Sequence, residues 1–94
     1  MIVSFADKTT RRLFATGRCL GVPPDVERRA ARKLEYVHLA TCLDDLRVPP
    51  GNRLHRLEGD QKGRYAIRVN EQWRICFRFD GEDAHDVLFC DYHS

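Results

Sequence analysis

Four residues near the middle of this 94-residue chain, Pro49-Pro50-Gly51-Asn52, most constrain what it can fold into. Two consecutive prolines remove backbone donors and restrict the residues before them, so regular structure stops there. The two halves they separate obey different periods. Before the break, Val26, Ala30, Leu34 and Val37 recur every three or four residues, with Arg28, Arg29, Arg32, Lys33 and Glu35 on the other sides. That spacing predicts one amphipathic helix over residues 26–40, with Asp25 as its N-cap and Glu27 suited to its positive end. After the break the period is two. Trp73, Ile75, Phe77 and Phe79 fall on one face of a strand, Arg74, Cys76 and Arg78 on the other, and residues 65–69 alternate in the same way.

The remaining segments follow from weaker signals. Residues 1–5 read as a short strand and 7–16 as a helix, with Leu13 and Phe14 apolar and Gly17 able to end it. Thr41-x-x-Asp44 resembles a weak capping box for a turn through Leu46. Residues 53–58 form a short strand, 59–63 a turn, 70–72 a hairpin connection, 80–83 a turn, and 86–92 the last strand. The result is an α+β fold in one domain over residues 1–94: a first strand, two helices, then a meander of about four antiparallel strands. The apolar face of that sheet needs cover and only the helices can supply it, while the arginine-bearing face can stay open.

Composition excludes several classes. No apolar stretch approaches the roughly 20 residues of a membrane helix. The N-terminus carries its charge after its apolar residues and lacks a long apolar core, so no signal peptide is expected and the cytoplasm is the expected compartment. Cys19, Cys42, Cys76 and Cys90 are widely spaced, without a C-x-x-C pair, and are read as reduced and structural, Cys76 and Cys90 as small core hydrophobes. The net charge of +2 says less than its distribution: arginine dominates the clusters Arg28-Arg29 with Arg32-Lys33, Arg53 with Arg56, and Lys62, Arg64, Arg68, Arg74 and Arg78. Arginine suits bidentate phosphate contacts, so the pattern is compatible with nucleic acid.

The last strand ends on Asp91-Tyr92-His93, three groups that span base, acid and hydrogen-bond donor roles. Alone, they read as a strand that has reached water. In order, however, Arg47-Val48-Pro49-Pro50-Gly51-Asn52-Arg53-Leu54, Leu57-Glu58-Gly59-Asp60-Gln61-Lys62-Gly63, Tyr65-Ala66-Ile67-Arg68-Val69-Asn70, Trp73-Arg74-Ile75-Cys76-Phe77 and Asp91-Tyr92-His93 resemble the HigB, or plasmid-maintenance killer, branch of the RelE/ParE toxin superfamily. The resemblance covers nearly the whole chain. It implies a RelE-like fold, two helices on one face of a curved, mainly antiparallel sheet of four to five strands. It also implies a metal-free, cofactor-free endoribonuclease that cuts messenger RNA on the translating ribosome, neutralised by a HigA-like helix-turn-helix antitoxin. The catalytic groups it implies are His55, Arg74, Asp91, Tyr92 and His93. A lysine found in some members shortly after the first histidine is absent, Glu58 being the nearby residue.

The chemistry can be argued from the residues. RNA can be cut when its own 2′-hydroxyl attacks the neighbouring phosphorus, which needs a base, an acid and positive charge for the phosphorane oxygens. His55 and His93 titrate in the right range for proton transfer, Arg74 can clamp a phosphate, Asp91 can act as base or orient an imidazole, and Tyr92 can stack or donate. Strict alternation puts Asp91 and His93 on one side of the strand and Tyr92 on the other, so a shared cleft requires the strand to end or bulge near Cys90. Arg28, Arg29, Arg32 and Lys33, with Arg53, Arg56 and Arg78, are the expected RNA- or ribosome-binding residues. His38 is read as helix surface and His85 as lying beside a turn. Two other readings stand beside this one: a ParE-like toxin that binds gyrase without RNA chemistry, and an inactive relative that survives as a repressor partner.

Overall fold

The computed structural model describes residues 1–91, so the expectations for Tyr92 and His93 lie outside the described residues. Helix α1 (Lys8–Thr16) starts where the Asp7 carboxylate accepts the Thr10 N–H at 2.8 Å and stops at Gly17, whose φ of 75° lets its N–H return to Leu13 O. Helix α2 (Pro24–Leu39) begins earlier than the periodicity predicts. Pro24 occupies the first turn, where a missing N–H costs nothing, and Pro23 takes the N-cap position without a side-chain cap. Asp25 is therefore inside the first turn rather than capping it. Glu27 instead accepts the Cys19 N–H at 2.6 Å and ties the α1–α2 connection to α2.

After α2 the chain makes a 3₁₀ turn, Leu43–Arg47. The carboxylate that Thr41 engages is Asp45, which accepts from both its N–H (2.9 Å) and its hydroxyl (3.1 Å), whereas Asp44 pairs with Arg47. A second such turn, Pro50–Asn52, leads into Arg53 at φ 48°. These two features shorten the expected strand at 53–58 to β1 (His55–Arg56). The sheet continues with β2 (Tyr65–Arg68), β3 (Trp73–Asp80) and β4 (Asp83–Asp91), in the order β1-β2-β3-β4 and antiparallel throughout. β4 starts three residues before its predicted first residue because Asp83 already pairs with Asp80.

Residues 1–5 lie parallel to β4, but as two isolated bridges, Ile2 to Ala84 and Phe5 to Val87, rather than a continuous strand. The reason lies in β4. Cys76 faces Leu88 and Arg78 faces His85, so Asp86 and Val87 together oppose Phe77 in a bulge, with Asp86 at φ 53°. The displaced Asp86 N–H bonds the Ser4 hydroxyl at 2.9 Å instead of a backbone carbonyl. His38 is not plain helix surface: its Nδ1 accepts the Ile2 N–H at 3.1 Å and its ring lies 5.2 Å from that of Phe14, which anchors the N-terminal segment.

Leu13, Ala30, Leu34 and Val37 from the helices bury against Ile67, Ile75, Phe77, Val87 and Phe89 from one face of the sheet. Thr10, fully buried, accepts the Phe89 N–H at 3.0 Å and joins α1 to β4. Beneath the proline loop, buried Asn52 donates to the carbonyls of Leu46 (3.1 Å) and Val48 (3.2 Å) and accepts from Lys33 Nζ. One amide side chain thus holds the two 3₁₀ turns and α2 together.

Replacing Asn52→Ala strands those carbonyls and the buried lysine, and should lower unfolding stability by roughly 2–4 kcal/mol, read from the urea midpoint. The Asp86 carboxylate is held below its ordinary value, chiefly by the Arg78 hydrogen bond. A depressed carboxylate contributes stability above its unfolded value near 3.9, and loses it as pH falls through the lower folded value. Asp86→Asn should therefore unfold more easily than the parent at pH 6, with the gap narrowing as pH falls below the ordinary carboxylate value and through the lower folded one.

Candidate active site

Residues directly opposite one another in an antiparallel pair share a face, so the register sorts the candidate groups. His55 faces Ala66, and Ala66 faces Cys76, which faces Leu88. The next row runs Arg68, Arg74, Cys90. Arg78 and His85 follow beyond the bulge. All lie on the face turned away from the helices. His55 and Arg74 are thus on one surface, two strand spacings across the sheet and one row along it, roughly 12 Å apart.

His55 is exposed, and its Nδ1 is 2.8 Å from the Arg53 carbonyl oxygen. A carbonyl only accepts, so this contact puts the proton on Nδ1 and leaves the Nε2 lone pair of the neutral ring outward. The left-handed Arg53 backbone aims that carbonyl at the ring. Arg74 is half-buried and lies directly opposite Cys90. Cys76 and Cys90 are not part of the main core as predicted. With Leu57 and Ala66 they make a small cluster on the open face, their sulfurs 3.6 Å apart. The Cys90 thiol is brought down to about 6, first by the Cys76 hydrogen bond, then by the hydrogen bond and charge of Arg74 and the charge of Arg64, against the opposing effect of burial. The same contact, with burial, pushes the Cys76 thiol up.

Asp91 does not join this surface. It faces Trp73, on the helix-covered side, and accepts from Gln72 Nε2 at 2.9 Å. The bulge that could have turned the strand lies at Asp86–Val87, and from Leu88 to Asp91 the pairing with β3 is unbroken. Arg78 is on the open face, but Asp86 engages it through two hydrogen bonds of 3.0 and 2.8 Å.

The basic residues of α2 divide as well. Arg29, Arg32, Lys33 and Tyr36 line a cavity of about 510 Å³ with Arg53 from the loop and Arg68 from β2. Arg28 is exposed but outside it. Lys33, expected on a solvated side of the helix, is buried against Asn52, and burial followed by the charges of Arg29 and Arg32 lowers its pKa. Arg56 faces Tyr65 and lines a separate cavity of about 380 Å³ with Glu58, Lys62 and Arg64. Arg68 was not among the predicted site residues, yet it joins the basic groove to the row of Arg74. The alternation of residues 65–69, which sets Arg68 on the same side as Arg74, carried that signal. Among the described residues no three His, Cys, Asp or Glu converge on a metal position, and no helix is long and apolar enough to cross a membrane.

Comparison with known proteins places this geometry in a family. Residues 3–93 match the family model described as RelE-like toxin of type II toxin-antitoxin system HigB. The chain belongs to the HigB-like toxin family. It is 40% identical over 90 residues to Toxin HigB-1 of Vibrio cholerae serotype O1, covering 94% of this chain and 95% of that one. It is 37% identical over 93 residues to Endoribonuclease HigB of Proteus vulgaris, covering 99% and 100%. The crystal structure of a YafQ mutant from E. coli superposes with a TM-score of 0.62 over 99% of this chain and 93% of that one; at 15% identity it bears on the fold alone. The α+β, RelE-like architecture read from the sequence is the observed one. Membership of a type II toxin family implies an antitoxin partner, and nothing in these similarities supports the ParE-like alternative.

The division among the α2 cations yields a prediction. Arg29→Glu with Arg32→Glu should leave the melting temperature near that of the parent, since surface changes stay within about 0.5 kcal/mol each, while weakening RNA binding and its salt dependence. Lys33→Glu should instead lower the melting temperature, because it places an anion against the acceptor oxygen of Asn52.

Proposed function

We propose that this HigB-like toxin is a metal-independent endoribonuclease that cuts messenger RNA on the ribosome by 2′-hydroxyl attack. The observation that carries this reading is the placement of His55 and Arg74 on one open face, with the basic groove of α2 reaching that face through Arg53 and Arg68. The name of the Proteus vulgaris relative, an endoribonuclease, supports it.

In this reading His55 Nε2, freed by the Arg53 carbonyl, takes the proton of the 2′-hydroxyl. The oxygen attacks the adjacent phosphorus, the bond to the 5′-oxygen breaks, and His93 protonates the departing oxygen. The products are a 2′,3′-cyclic phosphate and a 5′-hydroxyl. Arg74 neutralises the phosphorane oxygens, where charge grows in the transition state. Tyr92 contacts the base. Arg28, Arg29 and Arg32 on α2 dock against ribosomal RNA phosphates. Arg53 and Arg68 steer the substrate strand toward the open face. The partner is a HigA-like helix-turn-helix antitoxin, and the protein acts in the cytoplasm, where both ribosome and antitoxin are made.

The test is primer extension on cellular transcripts after brief induction of parent, Arg74→Ala and His93→Ala. Cuts inside translated reading frames are expected for the parent. Arg74→Ala should reduce the cleavage rate by about 10²–10³-fold, and His93→Ala by about 10²–10⁴-fold. Growth arrest with intact transcripts would overturn the reading.

A further inference from the structure

The proposed cleavage uses neither sulfur of the open face, yet two thiols meet there in a specific arrangement. Cys76 faces Leu88 and Cys90 faces Arg74, so the cysteines are diagonal neighbours across β3 and β4. Their sulfurs are 3.6 Å apart, and a bond of about 2.05 Å requires each to move by less than ~1 Å. Cys76 is buried at 3% exposure, while Cys90 is half-buried and within reach of a small solute. The other two thiols have no such partner among the described residues: Cys19 is buried and Cys42 exposed, both free.

We propose that Cys76 and Cys90 form a peroxide-reactive dithiol site that closes a reversible disulfide across β3 and β4. Three features support the assignment besides proximity. Arg74, directly opposite Cys90 on β3, brings its positive charge to bear on that sulfur, and Arg64 adds a second. The two positive charges favour the thiolate, the reactive form, at the partly exposed Cys90, while burial disfavours it at Cys76. Diagonal strand positions lie farther apart than the backbone spacing disulfides favour, so the bond suits a reversible site better than a permanent staple.

The chemistry balances with hydrogen peroxide as the oxidant. The Cys90 thiolate attacks one peroxide oxygen, the O–O bond breaks, and the leaving hydroxide takes a proton to become water. Cys90 is left as a sulfenic acid. The Cys76 sulfur then attacks that sulfur, its proton going to the departing oxygen, and a second water leaves. Two thiols lose two electrons in all, and one peroxide becomes two waters. The disulfide is uncharged, so Arg74 loses an anionic neighbour and the open face gains positive charge. This inference does not depend on the RNA reading, because its product is detected on the protein itself.

The full-length chain is treated with hydrogen peroxide, remaining thiols are capped with N-ethylmaleimide, and intact protein and peptides are weighed. Expected are loss of two hydrogens, two thiols that no longer cap, a peptide pair joined through Cys76 and Cys90, and restoration by dithiothreitol. Cys90 should react roughly tenfold or more faster than exposed Cys42. In Cys76→Ala, Cys90 should stop at oxygenated forms, and in Cys90→Ala, Cys76 should stay capped. A disulfide through Cys19 or Cys42, or Cys90 reacting no faster than Cys42, would overturn the proposal.

Discussion

Burial of Ile75 and Phe77 beneath the helices is the constraint from which the rest of the structure follows. β3 is flanked by β2 on one side and β4 on the other, so its register sets theirs. A slip of one residue would carry Arg74 and Arg78 into the core and Trp73, Ile75 and Phe77 into water. Because that exchange is prohibitive, the residues left on the open face are dictated by those that must be covered. The chemistry of this protein is thus a by-product of its packing: whatever alternates with the core of β3 becomes the working surface.

That surface is rich in arginine, and the arginines are not equivalent. Arg78 is neutralised by Asp86, and Arg64 donates to the Asp86 carbonyl at 2.9 Å, so both brace the bulge in β4. Arg74 lies opposite Cys90, and Arg68 and Arg53 line a groove with the exposed arginines of α2. Charge that braces and charge that remains available to a polyanion therefore occupy different rows of the same sheet. The buried Lys33–Asn52 contact makes the same division on α2, where one cation of the basic cluster serves the fold and its neighbours line the groove.

Much of this was legible in advance. The amphipathic helix, the two alternating strands and the break at the prolines announced two helices over a meander, because each rests on a local period or on backbone chemistry. The misreadings share a cause. Asp25 was expected to cap α2 and His38 to lie on its surface, but Pro23 and Pro24 set the helix start and Ile2 claims the imidazole. Asp44 was expected to partner Thr41, and the 3₁₀ geometry selects Asp45 instead. Lys33 looked solvated because its neighbours in sequence are, while the loop that buries it comes nineteen residues later.

The amino-acid sequence by itself determined which residues are apolar at which period, and so the element types, the α+β class and the identity of the open face. Those properties depend on side chains only a few residues apart. Only the tertiary structure decided the position of the bulge, which leaves Asp91 beside Trp73 and Cys90 beside Arg74. It also decided that Arg53 would orient His55 and that two cysteines fourteen residues apart would touch. Each of these depends on how one strand is offset against another, and that offset is set by the whole core rather than by any local stretch of chain.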